Sequence, residues 1–222
     1  MVNNTTPTTK LFDELKALSE KTFSTIPLGS MKEPSITDNI LSEIKLAYKC
    51  SDIIQYDDSH KETGADNDNP KTRTCADFIL VIKDSHSTIH TLSFQAKSGK
   101  KEKQNDKGLG NFYKEINHKI GNDGDYQVDE YDEFIRNSNI GGYYIFYNGN
   151  FDSITNAKDQ AKLNENSFWV LDEYIVKNEM GPDHKILSLT DIVDNANHKE
   201  FIDFLKGFVW NDWRKVLKSH KH

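Results

Sequence analysis

The chain has 222 residues, 36% of them hydrophobic, and a formal net charge of −7. That size and apolar content support one sizeable core, and the acid excess excludes a protein that coats nucleic acid through its overall charge, though not one with a local basic patch. No apolar run approaches the ~18 residues of a membrane span, the N-terminus lacks the apolar stretch of a signal peptide, and Cys50 and Cys75 are too few and too far apart for a disulfide framework, so a cytoplasmic setting is expected.

Residues 9–23 carry Leu11, Leu15, Leu18 and Phe23 at helical spacing, which predicts an amphipathic helix. A turn around Pro27 and Pro34 leads to a second helix with Ile40, Leu41, Ile44, Ala47 and Tyr48 on its apolar face. Ser35 and Asp38 have capping-box spacing there, and Thr37 competes as N-cap. Residues 52–56, DIIQY, read as a short strand, and residues 57–74, dense in Asp, Asn, Gly and Thr, as a long loop. The most apolar strand, ADFILVIKD, is joined by the polar turn DSHS to its partner IHTLSFQAK. Asp77 therefore opens one strand and Lys97 closes the next. Lys100, Lys101, Lys103 and Lys107 follow, opposed only by Glu102 and Asp106, and read as a basic loop.

GLGNFYKEINHK suggests a loop entering a helix, and DYQVDEYDEFIRNS is a clearer helix with Val128, Tyr131, Phe134 and Ile135 for packing. GGYYIFYNG is an apolar strand bounded by glycines. SFWVLDEYIV fits either a strand or a buried helix, KILSLTDIV a short strand and a turn, and residues 199–219 an amphipathic helix that docks on the body. This order predicts an α/β domain, a mixed central sheet flanked by helices, with extra helices at both ends. One domain is expected over 1–222, its core at about 33–150, with 151–222 an elaboration packed on it.

The chemistry concentrates on the strand pair. Residues two apart on a strand share a face, so Gln95 points with Lys97, and Asp77 with Ile79 and Val81. One end of the sheet can thus offer an acid, an amide oxygen and an ammonium. Mg²⁺ or Mn²⁺ takes such oxygen ligands: the Asp77 carboxylate, the Gln95 amide oxygen and the Ala96 carbonyl. Lys97 is then placed to orient water or to stabilise phosphate charge. No H-E-x-x-H or C-x-x-C spacing supports zinc, and no phosphate-binding G-x-x-x-x-G-K-[ST] loop or G-x-S-x-G elbow is present.

The Asp77…Gln95-Ala96-Lys97 pattern resembles the PD-(D/E)xK (restriction endonuclease-like) nuclease superfamily, in its variant with Gln where Glu is commoner. The resemblance implies an αβββαβ core, which the predicted order matches. Gln127 and Tyr131 fit the Q-x-x-x-Y motif that RecB-like members carry on the helix after the lysine strand, and their i, i+4 spacing gives them one helix face. The chain is also similar, over roughly residues 10–150, to an uncharacterised bacterial protein family. The likeness rests on Glu33-Pro34-Ser35-Ile36-Thr37-Asp38, Thr63-Gly64-Ala65-Asp66, Gln95-Ala96-Lys97, Gln127-Val128-Asp129 and Phe146-Tyr147-Asn148. By these resemblances Glu33 is the helix-side acid; Glu43 on the same helix is a weaker substitute, and Glu62 in the loop is a further candidate acid. Asp66 is a substitute for Asp77 as metal ligand, since Ala-Asp occurs twice and only Asp77 abuts the strand.

The implied function is a Mg²⁺- or Mn²⁺-dependent nuclease acting on DNA, in phage defence, mobile-element maintenance or repair. Lys100, Lys101 and Lys103 would contact the nucleic-acid backbone. No membrane partner is expected, and a homodimer is left open. The alternative is a catalytically weak or inactive nuclease-fold subunit that binds nucleic acid or a protein, because Gln95 removes one negative charge from the usual set. An unrelated interaction module would leave Asp77 and Lys97 far apart.

Overall fold

The computed structural model describes residues 7–26, 31–47, 52–55, 74–83, 88–103, 109–120, 124–149, 167–193 and 195–209. Helix α1 spans Pro7–Thr25, and α2 spans Glu33–Ala47. The start of α2 corrects the expected cap at Ser35 or Thr37. The Ile36 N–H donates to the Lys32 carbonyl at 3.0 Å, so helical bonding already begins at Lys32. Pro34 is tolerated there because first-turn N–H groups have no partner within the helix.

Strands β1 (Asp52–Gln55), β2 (Phe78–Lys83) and β3 (Ile89–Ser98) follow as an antiparallel meander. Next come β4 (Lys100–Lys103), β5 (Leu109–Phe112), a 3₁₀ turn at Lys114–Asn117, β6 (Lys119–Ile120) and β7 (Asp125–Tyr126). The basic segment expected as a loop thus contains strand β4, paired antiparallel with β5, with Lys100 opposite Phe112 and Lys103 opposite Leu109. Residues 108–119, expected to enter a helix, supply β5, the 3₁₀ turn and the first residue of β6. Helix α3 (Gln127–Ser138) ends at Asn139, whose φ of 52° is the left-handed turn that closes many helices.

Beyond α3 lie β8 (Gly141–Tyr147), β9 (Phe168–Asp172), α4 (Glu173–Met180), α5 (Leu189–Val193), β10 (Lys199–Glu200) and α6 (Phe201–Val209). SFWVLDEYIV is therefore strand and helix in succession, and KILSLTDIV holds a single β-bridge residue at Ser188 followed by the short helix α5. The predicted elements at 57–73, including Glu62 and Asp66, together with Tyr48, Cys50, Lys107 and residues 210–219, lie outside the described residues.

Among the described residues six strands form one sheet in the order β1-β2-β3-β8-β9-β10. The β3–β8 pair is parallel and the others antiparallel, so the sheet is mixed. A parallel pair needs a crossover, and α3 lies within it. The period-two pattern of β3 divides the molecule. Leu92, Phe94 and Ala96 face α1, α2 and α6, while Ser93, Gln95 and Lys97 face the α3 side, where Tyr144, Phe146, Trp169 and Leu171 of the neighbouring strands also point. Phe94 stacks on Phe78 at 4.8 Å and meets Phe201 and Phe204 edge-on at 5.9 Å, which docks α6. Burying each such ring is worth about 1.5–3 kcal/mol. On the other face a Cβ at Gly142 would come within 2.7 Å of Ile135, so the bare backbone there lets α3 lie close against β8. No helix among the described residues is long and apolar enough to cross a membrane.

Candidate active site

The C-terminal end of β3 collects the polar side chains. Asp77 arrives there through a tight approach. Cys75, two residues earlier, is buried with φ of 48°, a conformation few non-glycine residues adopt. The Asp77 N–H donates to the Phe94 carbonyl at 2.8 Å, which places its side chain beside Gln95. Its Oδ2 then accepts two bonds, from Gln95 Nε2 at 2.6 Å and from the Ala96 N–H at 2.7 Å.

Gln95 is 2% exposed. Its Nε2 is also 3.3 Å from the Ala96 carbonyl, so both amide hydrogens have acceptors. Its Oε1 is buried and has no hydrogen-bond partner among the described residues. A buried acceptor left bare costs about 1–3 kcal/mol; among the described residues the Tyr144 hydroxyl and Glu173 Oε1 are buried in the same way.

Lys97, equally buried, donates from Nζ to Gln127 Oε1 at 2.7 Å. Gln127 opens α3, and its own N–H donates to the His118 carbonyl at 2.9 Å. Glu33 enters from the opposite layer. It lies in the first turn of α2, and its Oε2 accepts the Ser98 N–H at 2.6 Å. Burial pushes the Glu33 carboxyl up to about 7. Lys97 pulls it down, the Asp77 carboxylate raises it, and the Ser98 N–H opposes that rise.

A carboxyl raised from 4.5 to about 7 in the folded protein binds its proton more tightly than in the unfolded chain. Its contribution is fully present below about pH 4.5 and is lost as pH rises through 7. Urea denaturation in chelator is expected to show that wild type loses stability relative to Glu33→Gln between pH 5 and 8. Parallel curves for the two proteins would remove Glu33 from a buried, charge-coupled position.

The oxygen atoms present suit a hard divalent cation: the Asp77 and Glu33 carboxylates, the bare Gln95 Oε1 and the Ala96 carbonyl. Among the described residues no three His, Cys, Asp or Glu side chains gather into a cation cluster, so such a site depends on the amide and the backbone oxygen.

Five of the six expected catalytic residues, Asp77, Gln95, Lys97, Glu33 and Gln127, come together at this end. Tyr131 does not join them. Its hydroxyl sits between Ser93 Oγ at 3.2 Å, the Tyr143 carbonyl at 3.1 Å and the Tyr143 N–H at 3.3 Å, and burial pushes its pKa up. The shared face predicted for Gln127 and Tyr131 is real. One helical turn, however, carries Tyr131 back along β3 to Ser93, where it ties α3 to β3 and β8. Tyr131→Phe is expected to destabilise the fold by about 1 kcal/mol in urea and to leave any activity unchanged.

Sequence reasoning missed Thr37 and Tyr147. The Thr37 hydroxyl bonds the Glu33 carbonyl at 3.1 Å and the Tyr147 hydroxyl at 2.9 Å, pinning the first turn of α2 to β8. Both residues stood in the quoted motifs, but their pairing spans 110 residues and has no local signal. No curated protein matches the chain. Residues 8–202 match a family described as one of unknown function, DUF6615, and the chain belongs to that family.

Proposed function

We propose that the protein is a Mg²⁺- or Mn²⁺-dependent phosphodiesterase acting on DNA, with a restriction endonuclease-like core. One observation carries the reading: an acid, a lysine and a buried amide oxygen with no partner among the described residues converge at the end of one strand, fed by two helix N-termini. Helix, three-strand meander, helix and parallel strand occur in that chain order, with β4–β7 inserted before α3, and this order supports the reading.

Asp77, Gln95 and the Ala96 carbonyl, with Glu33 on the α2 side, would hold the cation. When bound it would supply Lewis-acid stabilisation and a more acidic water. Lys97 presents its ammonium to a phosphate oxygen and stabilises charge that grows there during displacement. Gln127 limits the directions that ammonium can take. Without the cation Glu33, with its carboxyl near 7, can hold or release a proton at neutral pH. Lys100, Lys101 and Lys103 belong to the strand that continues from β3 past Gly99, so a nucleic-acid backbone laid along β4 would lead into the site.

Conversion of supercoiled plasmid to nicked or linear DNA with Mg²⁺ or Mn²⁺, and its loss in chelator, is the expected result. Single-stranded DNA and RNA in parallel define the substrate. Intact plasmid under every metal condition would overturn the proposal.

The Gln95–Asp77 bond favours a second reading. With Nε2 at 2.6 Å from Oδ2, the amide satisfies the carboxylate without a cation. On that reading the chain binds nucleic acid or a protein through a nuclease-like fold and does not cut. Titration calorimetry with Mn²⁺ separates the two, since the second reading predicts no heat of metal binding.

A further inference from the structure

The Gln127-Val128-Asp129 motif contains an acid that the site does not use. Asp129 Oδ2 is 2.7 Å from His184 Nε2, and its Oδ1 is 2.9 Å from Lys177 Nζ on α4. The His184 ring also stacks on Tyr126, with centroids 3.7 Å apart and planes 4° from parallel. Lys119 Nζ lies 4.7 Å from the centroid of the same Tyr126 ring. One side chain from the turn after α4 therefore holds the residue just before α3 and the third residue of α3. Gln127 stands between them.

The backbone at His184 gives an independent reason to look here. Its φ is 47°, in a turn closed by the His184 N–H to the Gly181 carbonyl at 3.1 Å and the Lys185 N–H to the Met180 carbonyl at 3.0 Å. Glycine would adopt that conformation without steric strain. A β-carbon held in the left-handed region points to work for the side chain beyond closing the turn.

We propose that His184 is a positioning residue for Lys97. By stacking on Tyr126 and bonding Asp129 it fixes the first turn of α3, and with it the reach of Gln127 to the Lys97 ammonium. The route is short. Lys97 Nζ meets Gln127 Oε1 at 2.7 Å, the Gln127 N–H meets the His118 carbonyl at 2.9 Å, and His184 clamps Tyr126 before it and Asp129 two residues after it. The consequence for rate rests on the phosphodiesterase reading, whereas the placement of Gln127 does not.

The test therefore has an arm that needs no activity. The Gln127 side-chain amide pair is assigned in a ¹H–¹⁵N spectrum by its loss in Gln127→Ala, and Lys97→Met gives its position without the ammonium partner. In His184→Ala the pair is expected to move toward the Lys97→Met position while the melting temperature changes by only a few degrees. If His184→Ala does not fold, His184→Gln, which fills the space and gives up the stack, is read the same way. An unmoved Gln127 pair would overturn the proposal whether or not the protein cleaves DNA. In the cleavage assay the same variant is expected to lose about 10- to 100-fold in kcat with KM unchanged. A change confined to KM would also count against a positioning role.

Discussion

Replacing Lys97 by methionine is expected to lower Mg²⁺- or Mn²⁺-dependent cleavage of DNA by about 100- to 1000-fold while the protein stays folded. Methionine keeps most of the apolar stem inside the sheet face and removes only the charge. The Gln127 oxygen loses its donor at 2.7 Å, which costs about 1–3 kcal/mol. Relief from burying an ammonium offsets part of that, so the change in urea midpoint is small. A second reading accompanies it. Lys97 holds the Glu33 carboxyl down against burial, so Glu33 is expected to titrate higher in Lys97→Met by carboxyl ¹³C NMR. Wild-type cleavage by this variant would take Lys97 out of the mechanism.

Asp77→Asn is expected to abolish Mn²⁺ binding in calorimetry, and cleavage with it. Asparagine is the informative replacement because its carbonyl oxygen can keep the bonds from Gln95 Nε2 and the Ala96 N–H. Alanine would strip both buried donors at about 1–3 kcal/mol each, and loss of folding would then obscure loss of metal. Asp77 raises the Glu33 carboxyl, so Asp77→Asn should lower the Glu33 titration where Lys97→Met raises it. Opposite shifts from neighbouring substitutions are the signature of a shared electrostatic centre, since general loosening would move both the same way. Undiminished heat of Mn²⁺ binding in Asp77→Asn would place the cation elsewhere.

Parts of this centre were legible in the sequence because the signal is local. Strand alternation alone put Ser93, Gln95 and Lys97 on one face, and that face is the one α3 covers. Two consecutive apolar runs, one opened by Asp77 and one closed by Lys97, pair antiparallel and bring Asp77 beside Gln95. Other parts had no local signal. The cap pattern at Ser35 and Thr37 was plausible chemistry, yet Thr37 is buried and bonded to Tyr147, and tertiary packing set the helix start instead. Lys100–Lys103 pairs as a strand although its charge run carries no apolar alternation. SFWVLDEYIV changes from strand to helix at Asp172 without glycine or proline to mark the boundary. Tyr131 shows the limit of motif transfer. Its helix face was right, but one turn of helix took its hydroxyl to Ser93 rather than to Lys97.

On the proposed reading, Gln95 presents its buried amide oxygen to a divalent cation. Anomalous diffraction from crystals soaked in Mn²⁺ measures this directly. The account predicts a peak about 2.1 Å from Gln95 Oε1, with the Asp77 carboxylate as a further ligand. Absence of a peak there, in crystals of a protein whose Gln95 amide still bonds Asp77 Oδ2 at the Mn²⁺ concentration used for cleavage, would contradict it.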